Sequence, residues 1–236
     1  MKCKKCGGEW IPPPGKTLTI CPFCGESLAM ANSDKIGETM QFGKYKWRVL
    51  DAQNGAALII TEDIVGVRPY DSEFTDEVWE SCTLRNYLNG EFLESFTENE
   101  KQRIAPAKIR NPNNHWYGTW GGKDTCDMVF LLDLEEADRY FGDSGDYLGE
   151  RRKDFDFENG RFFADGNGGY FSNAHDADRQ AKYSGAPSYW WLRSPGILNS
   201  SAAFVSPEGG VGVFGLDLYC ILDVICGVRP ALWLKL

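Results

Sequence analysis

Apolar and polar positions alternate from Ile36 to Leu50: Met40 and Phe42, then Tyr45, Trp47 and Val49, with Phe42-Gly43-Lys44-Tyr45 between them. Alternation with a period of two sends successive side chains to opposite faces, so two strands joined by a hairpin are predicted. After an Asn54-Gly55 turn, the unbroken apolar run Ala56–Thr61 reads as a third, buried strand. The pattern then changes period. Within Val78–Leu88, Leu84 and Leu88 stand four apart with Trp79 and Cys82 near the same face, which predicts a helix ended by Gly90. Thr97-Glu98-Asn99-Glu100 has the spacing of a capping box opening a helix to about Ile104. Asp133-Leu134-Glu135-Glu136 opens another that stops at Gly142, and Met128–Leu132 before it reads as a buried strand.

Residues 142–185 are rich in Gly, Asp and Asn but carry Tyr147, Phe155, Phe157, Phe162, Phe163, Tyr170 and Phe171. Aromatics in that number need a place to pack, so long ordered loops are expected. Asp165-Gly-Asn-Gly-Gly169 lacks the twelve-residue calcium loop with its closing Glu and reads as a plain turn. The aggregate is α+β: few helices, many short strands, abundant loop.

Composition narrows the picture. The chain is 42% hydrophobic and 14% aromatic over 236 residues, enough for one sizeable domain and a small appendage. Residues 1–28 hold four Lys against two Glu, so the remainder carries −11 of the overall −9. That acidity argues against nucleic acid as a ligand, which would require clustered Lys and Arg. No run is long and apolar enough to cross a membrane, and no signal-peptide core precedes Cys3, so a cytoplasmic protein is expected. In a reducing compartment cysteines serve as metal ligands or buried thiols sooner than as disulfides.

Cys3-x2-Cys6 and Cys21-x2-Cys24 each lead into glycine. Two such knuckles supply four thiolates to one tetrahedral ion, the cage Zn²⁺ prefers. The spacing resembles a zinc ribbon over residues 1–28, joined by a 29–35 linker to a main domain over 36–236. A closed set of four Cys leaves no open coordination position, so the zinc is read as structural.

The C-terminal quarter is framed by Tyr189-Trp190-Trp191-Leu192-Arg193-Ser194-Pro195-Gly196 and Gly227-Val228-Arg229-Pro230-Ala231-Leu232-Trp233. Between the frames, residues 197–226 contain no Lys or Arg and only Glu208, Asp217 and Asp223 as acids. With Thr83-Leu84-Arg85, Tyr87-Leu88-Asn89 and Phe130-Leu131-Leu132 ahead of them, these motifs resemble a bacterial domain family without assigned activity. Some members are variable proteins of diversity-generating retroelements. The resemblance implies a C-type-lectin-like fold in which the terminal strands pair. It also implies a C-terminal region, about 197–226, whose codons can be rewritten at adenines. Val211–Cys226 holds only Val, Gly, Phe, Leu, Asp, Tyr, Cys and Ile, all within the set that rewritten Asn codons reach; an ordinary buried strand would also lack Lys and Glu.

On this reading the protein is a non-enzymatic ligand-binding module, with Leu198, Asn199, Phe204, Ser206, Phe214, Tyr219, Cys220, Ile221, Leu222, Val224 and Ile225 as candidate contacts to a protein partner. Strand alternation would bury about half of them. Arg193 and Arg229 are read as structural, stacked on tryptophan and bonded to backbone carbonyls, with Trp190, Trp191 and Trp233 in the core. Two alternatives remain open. One is an enzyme of the formylglycine-generating type using Cys220 and Cys226, or one built on His175 with Asp176 and Asp178. The other is a structural module whose ribbon carries the interaction.

Overall fold

The computed structural model describes residues 23, 35–72, 77–142, 155–156, 161–162, 170–217 and 226–236. The ribbon cysteines Cys3, Cys6, Cys21 and Cys24, most of the linker, the Asp165–Gly169 turn, and Tyr219, Cys220, Ile221, Leu222, Val224 and Ile225 lie outside them.

The expected meander is present: β1 (Thr39–Phe42), β2 (Tyr45–Gln53) and β3 (Ala56–Thr61) pair in antiparallel succession. Gly43 makes the first turn with φ +56, and a Cβ there would sit 2.8 Å from the Phe96 ring, so this turn excludes other residues. Trp47 Nε1 donates to Phe42 O at 2.8 Å, closing the hairpin from within. Rings of Phe42, Tyr45, Phe92 and Phe96 then pack at centroid distances of 5.3–5.6 Å, joining the hairpin to the helical segment.

After β4 (Gly66–Val67), the first helix starts later than the periodicity suggests. α1 spans Thr83–Tyr87, with Cys82 as N-cap and Trp79 in the preceding turn. Gly90 does not end it; a wide π-type turn, Leu88–Phe92, carries the chain onward. Such a turn adds a residue, so Leu88 and Phe92 are both buried while Asn89 reaches across. The Asn89 side chain donates to Val129 O at 2.9 Å and accepts from Met128 N at 2.8 Å. Tertiary hydrogen bonding overrides the low helix propensity of glycine here.

Both expected capping boxes are closed. Thr97 caps α2 (Glu98–Arg103), and Asp133 caps α3 (Leu134–Phe141), each with reciprocal bonds to the third residue. Between them come β5 (Ile104–Ala105), β6 (Ala107–Ile109) and β7 (Thr125–Asp127). Met128–Leu132 is buried as expected, apart from half-buried Met128, but is not a strand: Phe130 makes one isolated bridge to Ala231. Side chains satisfy much of its backbone, Asn89 at one end and Arg193 at Leu131 O (2.7 Å).

Next follow β8 (Phe155–Asp156), β9 (Arg161–Phe162), β10 (Tyr170–Phe171), α4 (Asp176–Arg179) and an exposed hairpin of β11 (Lys182–Tyr183) and β12 (Ala186–Pro187). The C-terminal quarter supplies β13 (Trp190–Pro195), β14 (Ser201–Val205), β15 (Val211–Asp217), β16 (Gly227–Val228) and β17 (Ala231–Lys235). Two larger sheets result, ordered β1-β2-β3-β17-β5 and β10-β15-β14-β13-β16-β4. Among the described residues, all pairings are antiparallel except β13 with β16. The molecule mixes helices with antiparallel sheets, an α+β arrangement. The last strand joins the opening meander, lying between β3 and β5, while β1 is at the sheet edge.

Candidate functional site

Among the described residues three guanidiniums are buried, Arg193 and Arg229 in the frame and Arg179 on α4. Arg193 on β13 donates to Asp133 at 2.5 Å, to Glu136, to Leu131 O (2.7 Å) and to Arg110 O (2.9 Å). One cation thus holds the N-terminus of α3, the 128–132 run and β13 together. Burial pushes the Asp133 carboxyl up to about 6, Arg193 opposing the shift and neighbouring Glu136 adding to it. Among the described residues, Arg229 has no carboxylate at hydrogen-bond distance. It bonds the carbonyls of Thr61, Arg179 and Glu62 at 2.9–3.2 Å, between the rings of Phe141 and Trp190 at 5.2 and 4.9 Å. Burial, with nearby Arg48 adding to the effect and Glu62 and Asp63 opposing it, lowers its pKa to about 9, so it keeps its charge at neutral pH. Arg179 is fixed by Gly209 O, Gly142 O, Asn173 and Asp176, and its own carbonyl accepts from Trp190 Nε1 at 3.0 Å. These side chains brace the scaffold: Arg229 stacks on Trp190 and bonds carbonyls as expected, while Arg193 bonds carbonyls and pairs with Asp133 and Glu136.

At the Pro195 end of β13 the scaffold meets solvent. Asn114, 1% exposed, donates through Nδ2 to Pro195 O (2.8 Å), Gly196 O (3.3 Å) and Val213 O (2.9 Å), and its Oδ1 accepts from Trp116 N and Tyr117 N. One amide therefore pins the 113–122 loop to the end of β13 and to β15. Thr119 Oγ1 donates to Ile197 O at 2.8 Å, and Asn199 Nδ2 to Trp120 O at 2.9 Å, which locks this loop against the β13–β14 turn. Glu77 N joins them at Asn199 O. Gly196 and Gly121 allow the close approach: a Cβ on Gly196 would overlap Phe214 O, and one on Gly121 would overlap Pro112 O. On this rigid base Trp120 is 53% exposed and Leu198 62% exposed, an indole and an isobutyl group held out from hydrogen-bonded loops.

The structure divides the expected contact residues. Leu198 faces solvent, and Asn199, half-buried, spends its amide on Trp120 O. Phe214 is half-buried, its ring edge-on to Phe204 at 5.5 Å. Phe204 and Ser206 are corrections: they are 2% and 1% exposed and belong to the interior. Every residue of β14 is buried, so the sheet is covered on both faces and alternation exposes nothing here. Phe204 fills the space over Gly212, where a Cβ would overlap its ring, and packs against Tyr189 at 5.6 Å. Ser206 Oγ donates to Glu208 at 2.9 Å. Trp120 was not marked by any periodic pattern; its signal is the clustering of aromatics with turn residues in Asn113-Asn-His-Trp-Tyr-Gly-Thr-Trp-Gly-Gly122.

Catalytic groupings are weaker. Cys226 is 2% exposed, and burial pushes the Cys82 thiol up to about 12, far from a reactive thiolate. His175 Nδ1 lies 3.6 Å from Asp178, and Asp176 is occupied by Arg179 and Ser172 instead of sharing that pair. Among the described residues no cluster of three His, Cys, Asp or Glu could hold a metal ion, and no helix is long and apolar enough to cross a membrane.

A family model described as a domain of unknown function, DUF6273, matches residues 54–236. The matched span starts ahead of β3, on which the preceding β1–β2 hairpin pairs. No curated protein and no solved structure matches the chain.

Proposed function

We propose that this chain, which belongs to the DUF6273 family, is a non-enzymatic binding module presenting the Trp120–Leu198 surface to a protein partner. One observation carries the reading: two large apolar side chains are held in solvent on loops whose backbone is fixed by a buried amide and by inter-loop hydrogen bonds. A side chain already ordered before contact loses little entropy on binding, and Trp is among the residues that dominate interface energies.

The scaffold is read as C-type-lectin-like, preceded by a structural four-Cys zinc ribbon. The order of the C-terminal motifs supports this, as does the return of β17 to the sheet built by the opening strands. A retroelement variable protein would display its changeable residues near this end of β13. Leu198 and Asn199 are the candidates that lie there, while Phe204 and Ser206 belong to the constant interior.

Two measurements test the reading. At the locus, a template repeat of the C-terminal coding region differing only at adenines is expected beside a reverse transcriptase gene. A repeat differing equally at all bases removes diversification. For binding, Trp120→Ala and Leu198→Ser in the full chain should each lose a captured partner while Cys226→Ser retains it. Retention by both surface variants refutes the site.

A further inference from the structure

The face of the first sheet that carries Val49, Ile59 and Leu234 is hollow at one end. Val49 pairs with Ile59, but the next partners on this face are Ala52 and Ala57, whose short side chains leave a cavity of about 120 Å³. Leu234 pairs with Ala57, and Leu236, two residues on, lines the cavity and is 50% exposed. Met40 and Lys35 line it as well. Lys35 opens a turn in which Glu38 N donates to Lys35 O at 2.9 Å, and Ile36 within that turn is 52% exposed. A somewhat larger apolar cavity holds a benzene ring, so one aliphatic side chain suits this one. We propose that the occupant is Met30 of this same chain. The sequence leading into Lys35 is Leu28-Ala29-Met30-Ala31-Asn32-Ser33-Asp34. Met30 stands five residues from Lys35, a reach of at most about 18 Å, so it is tethered to the cavity at an effective concentration on the order of millimolar. Its unbranched thioether adapts to an irregular hollow, whereas Leu28 is branched and tethered from further away. Met30 seated there anchors the connection from residues 1–28 on the opening meander, independently of the Trp120 surface.

Isotopic labelling of methionine and alanine methyl groups in the full-length, zinc-loaded protein reads the occupant directly. The chain has four methionines, Met1, Met30, Met40 and Met128, so their methyl signals are readily assigned. Nuclear Overhauser contacts are expected from the Met30 methyl to those of Met40 and Ala57. Ala52→Leu, which fills the cavity from a half-buried position, should abolish them. Should that variant fail to fold, Met30→Ser carries the test, with isobutanol as the probe. Isobutanol should move the Met40 signal at an about tenfold or more lower concentration in Met30→Ser than in wild type, because no tethered side chain then competes for the cavity. Absence of any contact from Met30 to these methyls overturns the proposal. Equal affinity of isobutanol for the two proteins also overturns it, since the cavity would then be open in the full chain. Contacts seen only between differently labelled chains in a mixed sample overturn it too, by seating a second copy there. Each of these outcomes leaves the Trp120 reading untouched.

Discussion

At the scale of single residues, what distinguishes this interior is how it handles charge. Arg229 is wholly buried, and among the described residues no carboxylate bonds it; its cost of desolvation is offset by three carbonyls and two ring faces. A planar fork can meet three acceptors while stacking; an ammonium cannot. Arg229→Lys should therefore cost roughly 3 kcal/mol or more in denaturant unfolding, although charge is conserved. A loss under about 1 kcal/mol would show that the ring faces and carbonyls matter little. Asp133 gives a prediction in pH. Its carboxyl is raised from 3.8 to about 6 in the folded chain, so between these values the native state holds more proton than the unfolded state. Stability from this group is full below about pH 4 and is lost as pH rises through 6. Asp133→Asn, which can still cap α3, should flatten the stability profile across that window relative to wild type. Parallel profiles would refute the assignment.

At the scale of elements, legibility followed whether a segment's structure is decided locally. The hairpin of β1 and β2 and the two capping boxes were readable because alternation, a Gly turn and Ncap-to-N3 spacing act over a few residues. Gly90 misled because its neighbours Leu88, Asn89 and Phe92 have partners far along the chain, and the π-type turn serves them. Met128–Leu132 misled for the same reason: the Val129 and Leu131 carbonyls are taken by the Asn89 and Arg193 side chains, while those of Phe130 and Leu132 each make a single backbone bond, to Ala231 and Arg193, so no continuous ladder forms. The site was half legible. Frame motifs located the end of β13, but Phe204 and Ser206 were misplaced because nothing local reveals that β14 is covered on both faces. Trp120 is set by Asn114, whose partners lie some 80–100 residues away in sequence. Asn114→Ala removes that amide and strands the buried groups it served, so a loss of about 2–4 kcal/mol is expected. Amide exchange at Thr119–Gly121 should accelerate more than exchange in β2 or β3. Equal acceleration everywhere would mean that Asn114 stabilises the whole body without holding the loop.

For the whole molecule, the question is whether the appendage and the body depend on each other. The core cluster of the described residues begins at Phe42, ends at Leu234 and is closed by β17 returning between β3 and β5. Burial on that scale supports folding without a metal, whereas the proposed zinc ribbon over residues 1–28 would draw most of its folding energy from the ion. The full chain should therefore bind one zinc, and chelation should abolish order in the first 28 residues while leaving the melting temperature of the body within about 2 °C, a shift of about 1 kcal/mol or less. Near-UV circular dichroism reports the body, since seven of the eight tryptophans lie beyond residue 28. Binding through the Trp120 surface should survive the same treatment. If capture is lost on chelation while the body's spectrum and melting stay constant, the interaction belongs to the ribbon, and Trp120 and Leu198 are exposed for another reason.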